Sequence, residues 1–463
     1  MLTYSFDKDS KMSLYEQLYR HIKLDILSGR LKAGEKLPSK RTLADHLKLS
    51  TITIKGAYEQ LIAEGYLYTI EKKGYYVSQV DMPMRSLDAP KTAIAPAKNE
   101  FRLDLASNSI SSEHFPFSSW SKIMRRVLSE HEAELLGSTP FNGALALRQA
   151  ISDQLWQFHG MQVDPEQIII GAGTEFLYSL LIQLLGREHC YAVEDPGYGK
   201  IARIYASHGV KIARIPLDEK GLSCDELQFS DAEIVHISPS HHYPTGIVMP
   251  IGRRQELLRW AGESEGRYIL EDDYDSEFRF IGKPIPSLFS VDKNECVIYL
   301  NTFSKTIAPS IRISYMILPM HLMEKYRREL GFYSCTVSSF EQYTLAEFMS
   351  QGSYEQHINR MRNRYRKKRD AFIKLIETDA LAGRVQITEQ DAGLHFLMKL
   401  DTGLNDEELK AAAAERGIRL SMLSDYYFDK KNAEAHTIIV NYSGAEPEAL
   451  KWGIGVLAEL IRG

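Results

Sequence analysis

Asn301-Thr302-Phe303-Ser304-Lys305 follows the apolar run Val297 to Leu300, and its reading decides the larger part of this chain. A short apolar run of this kind reads as a buried strand, so Lys305 falls where a strand ends. Hydroxyls flank the lysine, Arg312 follows it, and the acidic run Glu271-Asp272-Asp273-Tyr274-Asp275 precedes it. An amine can form a Schiff base, hydroxyls and a guanidinium can hold a dianion, and a carboxylate can pair with a pyridinium nitrogen. An aldehyde with a phosphate tail needs these groups together.

Working outward, short apolar runs recur at Ile168–Ile170, Tyr191–Val193, Ile234–Ile237, Tyr268–Leu270 and Ile313–Ile317, with helical stretches between them. Such alternation predicts a mainly parallel sheet covered on both faces. A long charged helix is expected from Tyr354 to Ile376, within a smaller α+β region that reaches residue 463. The apolar stretch Ile168 to Leu185 contains Gly171, Gly173, Glu175 and Gln183, so it reads as strand, turn and helix rather than a membrane span.

The first eighty residues have another character. Ser13-Leu14-Tyr15-Glu16 has capping-box spacing, and Leu14, Leu18, Ile22 and Ile26 recur at helical period up to Gly29. Ser39 and Ser50 open two further helices; Ile54, Ala57, Tyr58, Leu61 and Ile62 of the third face a core, and Gly65 ends it. Two short strands follow around Glu71-Lys72-Lys73-Gly74. Three helices and a hairpin make a winged helix-turn-helix. Its third helix would present Ser50, Thr51, Thr53 and Lys55 to base edges, with Lys40 and Arg41 reaching phosphates and the tip residues Lys72, Lys73 and Gly74 entering a groove. Residues 81–100 contain three prolines and no sustained period, and read as a linker.

Charge agrees with this division. The whole chain carries −5, which excludes a nucleic-acid binder by bulk electrostatics. Residues 1–80, however, hold 13 lysines and arginines against 9 acids. The four cysteines form no CxxC pair, no metal site is expected, and the N-terminus lacks the pattern of a secretory signal. A reducing compartment is the expectation.

Two resemblances follow. Gly34-Glu35-Lys36-Leu37-Pro38-Ser39-Lys40-Arg41, Leu49-Ser50, Ala57-Tyr58 and Glu64-Gly65-Tyr66 resemble the winged helix of GntR-type bacterial regulators over most of residues 13–78. One departure is Thr51, where that family commonly has an arginine able to read guanine bidentately. Glu194-Asp195-Pro196-Gly197-Tyr198, Pro239-Ser240-His241, Pro244-Thr245-Gly246, the acidic run through Phe278, and Thr302 to Lys305 with Arg312-Ile313-Ser314 resemble a fold-type I aminotransferase. End to end, the chain resembles the MocR/GabR subfamily.

That resemblance implies an α+β winged-helix head (1–80), a linker (81–100) and an α/β aminotransferase-like body (101–463) that binds pyridoxal 5′-phosphate. Lys305 would attach the cofactor, with its pKa lowered by burial and nearby positive charge. Asp272 would hold the pyridine nitrogen, Tyr274 the ring 3-oxygen, and Tyr198 would stack on the ring. Gly173, Thr174, Thr302, Ser304 and Arg312 would form the phosphate cup, and His241 would take the ring-oxygen contact that enzymes give to an asparagine. The implied protein is a cytoplasmic bacterial regulator, nucleoid-associated when bound. It would be a head-to-tail homodimer on a double-stranded operator with repeated half-sites, answering a small-molecule effector. One candidate effector is the cofactor itself, in control of vitamin B6 supply. Ser443 stands where enzymes carry a carboxylate-binding arginine, and Lys200 where a GABA-responsive relative has one. The alternative is a catalytic aminotransferase with an accessory domain.

Overall fold

The computed structural model describes residues 2–7, 12–80, 101–107, 115–280, 285–378, 381 and 383–461. The chain divides into two compact units, Met1–Lys98 and Asn99–Gly463. The stretch read as a linker, 81–100, lies outside the described residues.

In the head, helices Leu14–Leu27, Lys40–Leu47 and Thr51–Ala63 precede an antiparallel hairpin, Leu67–Ile70 with Gly74–Val77. Leu18, Ile22, Leu43, Ile54, Ala57, Tyr58 and Leu61 are fully buried at its centre, and the Tyr58 hydroxyl donates to the Pro38 carbonyl at 3.0 Å. Ser39 and Ser50 cap as their positions suggest: each side-chain oxygen accepts the backbone N–H three residues on, at 3.2 and 3.0 Å. The box expected at Ser13 does not form. Its side chain makes no capping bond, and Glu16 instead pairs with Arg20 one turn along at 3.3 Å. Leu14 is also more exposed than a core position.

The body is built on an eight-stranded sheet. Its strand order is Ile168–Gly171, Ser314–Ile317, Val297–Thr302, Tyr268–Asp272, Ile234–Ile237, Cys190–Asp195, Lys211–Asp218 and Gly221–Leu222. The first, third, fourth and fifth to seventh of these share a direction, while Ser314–Ile317 runs antiparallel to both its neighbours and Gly221–Leu222 is an antiparallel edge. Four strands, Ile168–Gly171, Ile234–Ile237, Val297–Thr302 and Ser314–Ile317, are buried along their whole length, which is why they read as apolar runs. The reversed strand has a consequence for function. Register pairs Thr302 with Ser314 and Ser314 with Gly171, so the turn containing Arg312 lies at the same edge as the carboxyl ends of two parallel strands.

The helix Ser353–Thr378 leads to the smaller region, a three-stranded antiparallel sheet of Val385–Thr388, His395–Leu400 and Thr437–Asn441. Phe372, Phe396, Met398, Ile438 and Tyr442 form part of its core. Among the described residues no helix is long and apolar enough to cross a membrane.

Candidate functional site

Ligands of open α/β sheets bind beyond the carboxyl ends of the strands, and the candidate residues gather there. Lys305 sits in the turn after Val297–Thr302 and faces a cavity of about 1160 Å³. Burial lowers its pKa from the usual 10.5 to about 8, while the negative charge of Asp275 opposes the shift. The depression is therefore a desolvation effect, and the neighbouring positive charge that sequence reasoning invoked is not a cause of it.

Asp272 ends the Tyr268–Asp272 strand and lines the same cavity. Its Oδ2 accepts the Tyr178 hydroxyl at 2.5 Å and lies 3.5 Å from His236 Nε2. Tyr205 Oη stands 2.6 Å from His236 Nδ1. A proton donated by Tyr205 leaves the imidazole proton on Nε2, facing the carboxylate. Asp272 Oδ1 is buried with no hydrogen-bond partner among the described residues. A buried carboxylate oxygen without a partner is costly unless a ligand donates to it.

The phosphate end of the cavity lies at the start of helix Thr174–Leu185. Gly173 has φ +95, and a Cβ there would collide with the Arg312 guanidinium. Arg312 donates to the Ala172 carbonyl at 3.3 Å and stands 4.0 Å from Glu175, which also pairs with Lys200. Thr174, Ser304 and Arg312 line the cavity together with a helix N-terminus, a natural anion site. Thr302 lines it as well, but its hydroxyl is engaged: Ser304 N–H and Ser314 Oγ both donate to it, at 3.1 and 2.8 Å. It shapes the cup through Ser304. Gly173→Ala should therefore cost about 1–3 kcal/mol of stability from the positive φ alone. It should also weaken cofactor retention by pushing Arg312 aside; equilibrium dialysis of the folded variant measures this.

Tyr198 and Tyr274 line the cavity, with Tyr198 edge-on to Tyr243 at 5.8 Å between centroids. The expectation for His241 needs correction. His241 is buried behind Tyr274, 3.3 Å from its hydroxyl, and its Nδ1 lies 2.9 Å from Asp275. It lines a separate small cavity with Asp273 and Asp275. Tyr243, directly before Pro244-Thr245-Gly246, lines the Lys305 cavity instead. Sequence reasoning also missed Tyr178 and His236. Tyr178 lies one helical turn beyond Thr174, and His236 is a polar residue inside an otherwise apolar buried strand, so both carried a readable signal.

In the head, Arg41, Thr51, Lys55, Lys72 and Lys73 are exposed. Lys40 is half-buried, its ammonium 5.7 Å from the centre of the Tyr75 ring, and Lys55 stands 3.6 Å from Glu59. Ser50 and Thr53 bond to each other at 2.8 Å, so both hydroxyls are engaged in the helix cap rather than free to meet a base. Lys72 adopts φ +59 and Gly74 φ +118, which form the hairpin tip.

Comparison with known proteins agrees with both halves. Residues 14–77 match the family model for bacterial regulatory proteins of the gntR family, and residues 102–432 match aminotransferase class I and II. The chain is 36% identical over 95% of its length to the uncharacterized HTH-type transcriptional regulator YdeL of Bacillus subtilis, covering 95% of that protein. It is 31% identical to the probable rhizopine catabolism regulatory protein MocR of Rhizobium meliloti, covering 97% of this chain and 94% of that one. It is 29% identical to the HTH-type pyridoxine biosynthesis transcriptional regulator PdxR of Corynebacterium glutamicum, at 97% and 95% coverage. Among solved structures, a multiple substrate aminotransferase from Thermococcus profundus superposes with a TM-score of 0.69 at 26% identity, over 78% of this chain and 91% of that one.

The aminotransferase fold implies pyridoxal 5′-phosphate, and the residues present fit it. The unpartnered Asp272 Oδ1 suits a protonated ring nitrogen, the Gly173–Arg312 cradle suits a phosphate, and a lysine of lowered pKa stands in the same cavity.

Proposed function

This chain belongs to the MocR/GabR subfamily of GntR-type transcription regulators, and we propose that its body senses a metabolite at Lys305 and passes the signal to a DNA-reading head. The observation that carries the reading is the joint presence, in one cavity, of an amine of lowered pKa and a buried carboxylate oxygen without a partner. When bound, pyridoxal phosphate supplies an aldehyde that condenses reversibly with primary amines. Lys305 supplies the resident amine; with a pKa near 8, roughly a tenth of it is neutral at pH 7 and able to react. Asp272, held by the Tyr178 hydroxyl with His236 beside it, would pair with the ring nitrogen. The helix N-terminus, Ser304 and Arg312 hold the phosphate, and Tyr198, Tyr243 and Tyr274 wall the ring. Lys305 would be the group whose attachment an effector amine could contest, and a change there would bias a two-state protein only through contacts that differ between its states.

Ser443 supports sensing over turnover. It is buried, its carbonyl accepts from Lys368 at 3.0 Å, and a serine cannot fork onto a carboxylate as arginine does. Arg419 does not line the Lys305 cavity; it is exposed and pairs with Asp104 at 3.4 Å, whereas Arg203 and Arg214 do line it. Serine in place of the clamping arginine at 443 favours the cofactor itself as the signal, and PdxR, a relative named for pyridoxine biosynthesis, agrees with control of vitamin B6 supply. A gel shift titrated first with pyridoxal phosphate and then with an amino-acid panel separates the versions. A cofactor effect with none from amino acids is expected, and the reverse result eliminates B6 sensing.

The working protein is a cytoplasmic head-to-tail homodimer that reads repeated half-sites. Arg41→Ala should weaken binding about equally on all duplexes and reduce the salt slope by about 1, as for one lost phosphate contact. Cofactor absorbance should not change, and unaltered DNA affinity would assign Arg41 to structure.

A further inference from the structure

Ile52 is 79% exposed, more than any other large apolar side chain of the described head. A single exposed isoleucine needs no explanation. Its position does. Ile54, Ala57, Tyr58 and Leu61 are completely buried and fix the inward stripe of helix Thr51–Ala63. At about 100° per residue, Ile52 points almost directly away from that stripe, on the first turn. One turn further along the same outward line stands Gly56.

Gly56 is a second, independent observation. Glycine is among the poorest residues for a helix interior. Here the backbone does not require it, because its φ lies outside the left-handed region. Packing within the head does not require it either: an added Cβ would meet only the Tyr15 ring, at an ordinary 3.7 Å. A small residue kept on an outward helix face, one turn after an exposed isoleucine, leaves room for a partner to approach closely. Arg41, Lys55, Lys72 and Lys73 of the same unit are exposed, and such cations complement a polyanion.

We propose that helix Thr51–Ala63 enters the major groove along the Ile52–Gly56 line, with Ile52 packing against a thymine 5-methyl group and Gly56 letting the helix seat deeply. The proposal rests on the reading of the head as a DNA binder and adds the base it prefers. Thymine is the base whose groove edge carries a methyl, and apolar side chains recognise it there. The hydroxyls of Ser50 and Thr53 are engaged with each other, which leaves Thr51 and Ile52 as the more available readers of this turn, and of the two Ile52 is the wholly apolar one.

The test uses the full-length protein and a duplex it enriches from a random library. Each thymine is replaced by uracil, which lacks only the methyl. One position per half-site should weaken wild-type binding about fourfold, the scale of one buried methyl. Ile52→Ala should bind the thymine and uracil forms alike. Gly56→Ala should melt at the same or a higher temperature yet bind roughly tenfold more weakly, the scale of one mismatched base pair. If no uracil weakens the wild type, or if it weakens Ile52→Ala equally, Ile52 reads no methyl. If Gly56→Ala binds like wild type, the helix does not enter along this line. A library that yields no enriched duplex is a different failure, since it overturns the DNA-reading head itself.

Discussion

Lys305→Ala is expected to yield a folded protein that loses added pyridoxal phosphate on gel filtration and emerges colourless, where the wild type stays yellow. The variant removes the amine but leaves Asp272, Ser304 and Arg312 to hold the ring and phosphate weakly. Absorbance spectra before and after desalting measure it. Two pH dependences accompany this result. Capture by the wild type should rise as pH passes through about 8, where the Lys305 amine becomes mostly neutral. The cofactor-free wild type should also gain stability as pH rises from about 8 toward 10.5. The folded pKa lies below the unfolded one, so the unfolded chain binds the extra proton across that window, and stability increases with pH there. Thermal melts of the apo Lys305→Ala variant should lack that contribution.

Asp272→Asn is expected to have the second-largest effect, and its two readouts move apart. Cofactor affinity should fall on the order of a hundredfold, because an amide cannot hold a protonated ring nitrogen and the loss of one partner of a buried charge pair is costly. The cofactor-free protein should be at least as stable as wild type. Its Asp272 Oδ1 is a buried carboxyl oxygen without a hydrogen-bond partner, and an amide is cheaper to bury than a carboxylate. Calorimetric titration and a melt of the same sample check both. Parallel losses of stability and affinity would make Asp272 a structural residue.

Much of this was legible before any coordinates, for physical reasons. Strands buried on both faces print as apolar runs, so the sheet and the strand-end positions of Asp272 and Lys305 could be read directly. Ser39 and Ser50 announced their helices because a cap is a local bond between residues three apart. Glu16 shows the limit of such local reading, since Arg20 competes for the same carboxylate. The reversal of Ser314–Ile317 was not legible, because an antiparallel strand in a buried sheet has the same apolar pattern as a parallel one. His241 was misplaced because the chain between Ser238 and Pro244 follows no period, so the sequence did not say which of His241, His242 and Tyr243 faces the cavity. The Tyr178–Asp272–His236–Tyr205 chain joins residues up to 94 positions apart and appears only once the strands are paired.

The attachment itself can be fixed and located. Full-length protein is incubated with pyridoxal phosphate, reduced with borohydride, digested, and mapped by mass spectrometry. A single pyridoxyl group on Lys305 is the expected result. Label scattered over exposed lysines, or a Lys305 peptide that stays unmodified while the protein is yellow, would contradict it.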